Sequence, residues 1–138
     1  MKMKQISIFL ENSTGRIAEV TRVLKEAGVN LRAISIADTA DFGILRLITS
    51  DSERTLEVLK KANFTTRTTD VLAVKIPDEV GSLHDVMVLF QKNSINIEYL
   101  YASFEMTEDS TVIIFKVEDP DAGLKVLKDN GYEAISSL

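Results

Sequence analysis

The sequence predicts an α+β fold made of two copies of one βαββαβ unit, and an internal repeat is the first observation behind this prediction. At an offset of 66 residues, Gly15 pairs with Gly81, and the apolar positions around the two glycines agree. Further along, the segment DSERTLEVLKKANF matches DPDAGLKVLKDNGY at an offset of 68. Self-similarity at a fixed spacing indicates repeated structural units. We therefore expect units at residues 1–70 and 71–138, with two extra residues in a hairpin turn of the second unit.

The first unit opens with a strand followed by an amphipathic helix. Residues 5–10 place Ile6, Ile8 and Leu10 on one face, as a strand that packs on a core does. Residues 16–27 repeat apolar side chains every three or four positions, which predicts a helix, and Gly28 is placed to end it in the left-handed conformation. The expected buried stripe of this helix consists of Ile17, Val20, Leu24 and Ala27.

A hairpin and a second helix follow. Strands are predicted at 31–38 and 43–49, on either side of the turn-rich segment ADTADFG. The second helix is predicted at 52–62, with Asp51 as its N-cap, and Asp119 is the matching cap in the second unit. A fourth strand near residues 64–70 leads directly into the first strand of the next unit. This order is that of the ferredoxin-like split βαβ arrangement, an antiparallel sheet with both helices on one face.

The sheet face away from the helices needs a cover. The runs at 44–48 and 112–115 are apolar on both faces, whereas a solvated face would alternate. Packing against the sister unit or a second chain would provide the cover, and we expect a symmetric homodimer that packs sheet against sheet. The residues expected on this face are Phe9, Leu45 and Leu47 in the first unit and Ile97, Tyr99 and Tyr101 in the second, with Tyr99 and Tyr101 at the dimer interface.

Composition and charge exclude several classes of function. The 138 residues include 45% hydrophobic and 27% charged side chains, as in a globular protein, and no cysteine, so disulfides and thiolate metal sites are excluded. A net charge of −5 disfavours nucleic acid. No apolar run approaches the ~20 residues that span a bilayer, and no signal peptide is recognisable, so we expect a cytoplasmic protein without a membrane partner. No nucleophile with a base, phosphate loop or metal spacing is present, so we expect no enzyme, cofactor or metal site.

The segment ENSTG at residues 11–15 is the first candidate site. It lies between the first strand and the first helix, and the unpaired N–H groups at a helix N-terminus favour an anion such as a carboxylate. Asn12 supplies an amide that accepts from an ammonium or donates to a carboxylate, and Asn30 offers the same chemistry. A small zwitterion such as a free amino acid would suit this combination. The alternative is structural, with Asn12, Ser13 and Thr14 serving only as turn and N-cap residues.

The duplicated pattern of strand, glycine loop, helix and second strand resembles the ACT domain family of amino-acid-sensing regulatory modules. That family commonly carries N-x-P-G or D-x-P-G in the loop. Residues 12–15 read NSTG and residues 78–81 read DEVG, so each keeps the first residue and the glycine without the proline. The resemblance covers essentially the whole chain.

The resemblance implies an amino acid bound between the glycine loop of one unit and the second strand of a neighbouring unit. A histidine stands two positions before the loop asparagine in serine-sensing relatives, and Leu10 in its place favours an apolar amino acid. The acidic second loop is expected to form a weaker site. The implied ligand-binding residues are Leu10, Glu11, Asn12, Ser13, Thr14, Gly15, Arg16, Ile17, Asn30 and Leu31, and those of the second site are Asp78, Gly81 and Asn96.

Three functions compete on these observations. The favoured one is a non-catalytic regulatory module that binds an amino acid and acts on a metabolic enzyme. The second is an assembly module without a ligand. The third is RNA binding, since RNA-recognition domains share the βαββαβ order. Tyr99 and Tyr101 lie on one strand face, but the neighbouring strands lack the basic aromatic segment of such domains.

Overall fold

A computed structural model describes residues 1–38 and 41–138, except for the side chain of Asp38. The predicted βαββαβ order occurs twice, and the predicted fold is confirmed. The predicted turn between the second and third strands includes residues 39 and 40, which lie outside the described residues. The elements are β1 (Met3–Glu11), α1 (Arg16–Glu26), β2 (Leu31–Asp38), β3 (Phe42–Thr49), α2 (Ser52–Lys61), β4 (Thr65–Pro77), α3 (Ser82–Lys92), β5 (Ile97–Met106), β6 (Ser110–Val117), α4 (Pro120–Asp129) and β7 (Glu133–Ile135).

Two compact units make up the chain. One comprises Lys4–Thr69, and the other comprises Met1–Met3 together with Asp70–Leu138. The strand β4 is continuous over 13 residues, so the last strand of the first unit and the first strand of the second are one element. A compact unit is a geometric grouping, and the domain boundary after residue 70 stays a prediction.

In the first unit, β3 lies between β1 and β2 and runs antiparallel to both. Ile6 lies opposite Leu47 and Ile8 opposite Leu45, and cross-strand partners share one face of a sheet. The helices α1 and α2 cover that face. The buried members of the resulting core are Ile6, Ile8, Leu10, Val20, Val23, Leu24, Val29, Leu45, Leu47, Leu59 and Phe64.

This register corrects the expected position of Leu45 and Leu47, which are buried against the helices rather than placed on the opposite face. Alternation along one strand separates two sets of side chains, but it does not say which set the helices cover. Phe9, on the other set, is 41% exposed, in agreement with its expected face. Gly28 has φ 71°, so it ends α1 in the predicted left-handed conformation.

In the second unit, β6 lies between β4 and β5, and β4 also pairs with β7, all antiparallel. Phe90 of α3 packs edge-to-face on Phe115 of β6, with ring centroids 5.5 Å apart. The core is completed by side chains from β4, α3, β6 and α4. Its buried members are Leu72, Val74, Ile76, Val86, Phe90, Ile113, Phe115, Val117 and Leu127.

The strand β5 corrects the expected position of Ile97. A register shift between Ile97 and Tyr99 breaks the alternation, and Ile97 packs against the helix-side core instead of sharing a face with the tyrosines. Tyr99 and Tyr101 do share a face, with stacked rings whose centroids are 6.5 Å apart. Tyr101 is only 8% exposed in the single chain. A dimer interface at these tyrosines stays a prediction.

Candidate ligand site at the first glycine loop

The loop between β1 and α1 is a tight turn held by its own backbone. The N–H of Asn12 donates to the carbonyl of Asp41 at 2.9 Å, and the N–H of Ser13 donates to the carbonyl of Glu11 at 2.9 Å. Gly15 follows with φ 87°, in the left-handed region that a side chain disfavours. The glycine is therefore required by the backbone path that leads into α1.

The helix that follows this loop begins without a side-chain cap. Gly15 occupies the N-cap position of α1, and no side chain of the described residues accepts a hydrogen bond there. The helices α2 and α4 differ, because Asp51 accepts from the N–H of Arg54 at 3.0 Å and Asp119 accepts from the N–H of Ala122 at 3.1 Å, as predicted. The N-cap part of the structural alternative is thus wrong, whereas its turn part agrees with the backbone hydrogen bonds of Asn12 and Ser13. Helix α1 presents first-turn N–H groups that can bind an anion.

A cavity of about 150 Å³ lies beside this uncapped helix end. Six predicted site residues line it, together with Ile36 of β2 and Gly43 of β3, which the sequence analysis missed. Ile36 lines the site because its strand, β2, lies beside β3 just as β1 does. Gly43 lines the site because it is the cross-strand partner of Leu10. The lining consists of Leu10, Glu11, Asn12, Ser13, Arg16, Ile17, Ile36 and Gly43.

Exposed apolar side chains form part of the cavity and its surroundings. Ile17 is 44% exposed and Ile36 is 49% exposed. The prediction that Ile17 belongs to the buried stripe of α1 is therefore wrong. Phe42, beside Gly43, is 61% exposed. The site therefore combines apolar surface with the polar end of a helix.

One cation lies within this lining. The guanidinium of Arg16 pairs with the carboxylate of Glu19 at 2.8 Å. Its Cζ also lies 4.9 Å from the centre of the Phe64 ring, within the range of a cation–π contact. Arg16 is thus held in place by a carboxylate and an aromatic ring.

Four predicted residues do not line the cavity. Thr14 and Gly15 belong to the same loop as the lining residues. Asn30 and Leu31, in contrast, lie at the opposite end of the sheet. The reason is that β1 and β2 both run antiparallel to β3 and hence parallel to each other, so β2 begins far from the end of β1. Leu31 pairs with Thr49, six residues from the partner of Leu10 along β3, or about 20 Å. The expectation that Asn30 adds an amide near the loop of its own unit is therefore wrong.

Asn30 and Leu31 instead line a separate depression of about 360 Å³ at the C-terminal end of α1. The backbone of Asn30 is engaged there, because its N–H donates to Ser50 Oγ at 3.0 Å and its carbonyl accepts from the N–H of Ser50 at 2.9 Å. Within its own unit, this backbone position serves to anchor the start of β2.

The second glycine loop repeats this geometry with a different lining. Gly81 has φ 86° at the N-cap of α3, and the N–H of Asp78 donates to the carbonyl of Asp109 at 2.8 Å. Beside the loop lies a cavity of about 630 Å³, whose lining includes neither Asp78, Gly81 nor Asn96. Asn96 is exposed ahead of β5, at the far end of its sheet from the loop.

Residues 1–38 and 41–138 contain neither a metal-binding cluster nor a membrane-spanning helix. No group of three or more His, Asp or Glu side chains there could hold a metal ion. In the same residues, no helix combines the length and the apolar character needed to cross a bilayer. His84 is exposed on α3.

Comparisons with known proteins agree with this fold. A family model described as an ACT domain pair matches residues 1–137. The crystal structure of protein BT0572 from Bacteroides thetaiotaomicron is similar with a TM-score of 0.93 and 36% identity, over 99% of this chain and 94% of that one.

Two enzyme subunits are among the similar proteins. The acetolactate synthase small subunit of Buchnera aphidicola is 28% identical over 114 residues, covering 80% of this chain and 67% of its own length. The regulatory subunit of aspartate kinase from Thermus thermophilus is 17% identical, with a TM-score of 0.64 over 91% of both chains, and this likeness concerns the fold alone.

Proposed function

The chain belongs to the ACT domain pair family, and on that premise we propose that it is a non-catalytic regulatory module that binds a free amino acid at the glycine loop of its first unit. In this proposal, occupancy of the loop alters the action of the module on a partner enzyme in amino-acid metabolism. A cytoplasmic location is part of the same proposal.

The observation that carries this proposal is the meeting of an uncapped helix end and a partly apolar cavity at one loop. The first-turn N–H groups of α1 would bind the carboxylate of the amino acid. Glu11 and the amide oxygen of Asn12 are suited to the ammonium group. Leu10 and Ile36 would contact the side chain, which supports an apolar ligand over serine.

The size of the cavity limits the side chain of the ligand. The cavity has a volume of about 150 Å³, and an apolar cavity of this volume can hold a molecule of the size of benzene. A valine, leucine or phenylalanine side chain would occupy it, and the rest of the ligand would lie against the exposed Ile17.

The partner is proposed from the relatives. One is named as the small subunit of acetolactate synthase, and this name associates it with an enzyme. We propose the same kind of partner here, together with homodimerisation of this chain.

A ligand-free assembly module is the second candidate. It is favoured by the exposed apolar side chains of Ile17, Ile36 and Phe42, which surround the loop and would suit a protein surface as well as a small ligand. In that case, Ile36→Asp would lower the molar mass measured by light scattering, and no amino acid would be needed for assembly.

A thermal-shift screen over the twenty amino acids tests the favoured function. A ligand at a hundredfold excess over its Kd stabilises the folded state by about 2.7 kcal/mol, so a binding amino acid should raise the Tm measurably. Asn12→Ala should remove the shift, while Asp78→Ala, at the matching position of the second loop, should retain it. If no amino acid changes the Tm at millimolar concentration, the proposal is refuted.

A further inference from the structure

The cavity beside the second glycine loop has a lining suited to a cation. It lies within the second unit, between the N-terminal end of α3, the end of β4 and the segment that follows α4. Four carboxylates and one ammonium give the lining a net charge of −3. Its charged and aromatic members are Lys75, Glu79, Asp85, Asp109, Tyr132 and Glu133.

The two units have equivalent hydrogen bonds at the N-terminal ends of α1 and α3. Gly15 and Gly81 have φ 87° and 86°, and each accepts a 3.0 Å hydrogen bond at its carbonyl, from the N–H of Glu19 in the first unit and of Asp85 in the second. Glu19 and Asp85 are therefore structural equivalents, each in the first turn of its helix.

The aromatic residues after the second helix of each unit also correspond. The N–H of Phe64 donates to the carbonyl of Leu59 at 3.0 Å, and the N–H of Tyr132 donates to the carbonyl of Leu127 at 2.9 Å. Both rings pack against the cores of their units. Phe64 and Tyr132 thus occupy the same structural position.

The first unit contains a cation between these two positions. Arg16 pairs with Glu19 at 2.8 Å and lies over the ring of Phe64 at 4.9 Å. The equivalent of Arg16 is Ser82, a buried residue whose side chain is too short to reach either partner. The second unit therefore keeps the carboxylate and the aromatic ring, and a cavity of about 630 Å³ lies beside them.

We propose that this cavity binds the guanidinium group of a small-molecule ligand, in the way that the first unit holds its own Arg16. Asp85 would pair with the guanidinium and Tyr132 would stack on it. Glu79, Asp109 and Glu133 add negative potential, which outweighs the charge of Lys75. The volume lies within the range of small-molecule sites, about 300–1,000 Å³.

The polarity of the helix does not prevent this assignment. A helix N-terminus disfavours a cation, yet Arg16 occupies the first helical position of α1 because Glu19 and Phe64 compensate. The second unit supplies the same two kinds of group and three further carboxylates. This inference is independent of the function proposed for the first glycine loop, because it concerns other residues and another ligand.

Calorimetric titration with agmatine tests the proposal, with putrescine as the comparator because it replaces the guanidinium by a second ammonium. The wild-type protein should bind agmatine more tightly than putrescine, since only the planar guanidinium can pair with Asp85 bidentately and stack on Tyr132. Asp85→Asn should weaken agmatine binding about tenfold or more, and Tyr132→Leu about threefold. Asp129→Asn removes a carboxylate from α4 outside the cavity and serves as the charge-matched control, with unchanged binding expected.

Ser82→Arg provides the decisive variant. It should place a guanidinium between Asp85 and Tyr132 and abolish agmatine binding, with a native circular dichroism spectrum as the check on folding. If Ser82→Arg does not fold, the tenfold loss in Asp85→Asn decides. Tighter binding of L-arginine than of agmatine would identify an amino acid as the ligand class, and the reverse order a decarboxylated amine. Absence of agmatine binding by the wild type, or equal binding by the wild type and Asp85→Asn, would overturn the proposal.

Discussion

Alanine substitution at the two loop glycines offers an internally matched test of the first site. Gly15 and Gly81 have nearly identical φ values of 87° and 86°, and an added Cβ would meet no atom within 4 Å at either position. The cost is therefore conformational in both cases, about 1–2 kcal/mol for a left-handed non-glycine residue. For a chain of this length, each kcal/mol lowers the Tm by about 4 °C. Both variants should thus lose similar stability.

Ligand binding should separate the two variants. In Gly15→Ala the new methyl group stands where the amino-acid carboxylate would approach the first turn of α1. We expect at least about a tenfold loss of affinity, equivalent to about 1.4 kcal/mol. Gly81→Ala should retain the ligand-induced rise in Tm, because its loop borders the other cavity. Scanning fluorimetry with and without the stabilising amino acid measures both effects.

Two outcomes would refute this reasoning. Equal loss of the ligand-induced shift in both variants would show that the loops do not differ in function. A much larger fall in unligated Tm for Gly15→Ala than for Gly81→Ala would show that the strain is not the same at both positions.

Three further predictions follow from the structure. Gly43→Ala should weaken ligand binding, because Gly43 lines the cavity of about 150 Å³ and an added methyl group would reduce its volume. The unfolding free energy should change little, since the added Cβ would lie at an ordinary contact distance of 3.6 Å from Ile36 Cδ1. An unchanged Kd would contradict the site. Gly123→Ala should lower the unfolding free energy by about 1 kcal/mol. The added Cβ would lie 2.8 Å from Leu72 Cδ1, and this clash costs more than the gain in helix propensity. A variant that is more stable in urea denaturation would contradict this prediction. Light scattering should give about twice the 15.3 kDa chain mass, and the mass of a single chain would refute the dimer. Tyr101→Glu should destabilise the fold whatever the assembly, because the side chain of Tyr101 is only 8% exposed.

The N-terminal ends of the helices illustrate how far local sequence goes. Asp51 and Asp119 were predicted as caps from residue type and position alone, and both predictions are confirmed. Capping depends on a hydrogen bond across three residues, so it is encoded locally. The glycine loops were harder to interpret, because Asn12, Ser13 and Thr14 are also residue types that favour capping. The backbone conformation of Gly15, which itself occupies the N-cap position, excludes only the capping role of these residues.

The candidate site was predictable in part for the same reason. Residues of the loop and the first turn of α1 lie close together in sequence, and six of those predicted line the cavity. Ile36 and Gly43 belong to other strands, and nothing in their own segments indicates that they face the loop. Asn30 lies far from the loop because β2 runs parallel to β1 and begins at the opposite end of the sheet, which only the strand order reveals.

The sequence by itself determined the repeated unit, the type and order of its elements and the family, because periodicity, caps and turns act over a few residues and the repeat shows each of them twice. Tertiary structure alone decided which sheet face the helices cover, which strands meet the loop and where Arg16 lies. These features depend on strand register and on contacts such as that of Arg16 with Phe64, 48 residues apart. Long-range packing selects one of several arrangements that the local pattern permits equally, and for that reason the difference between the two loop cavities is visible only in the folded chain.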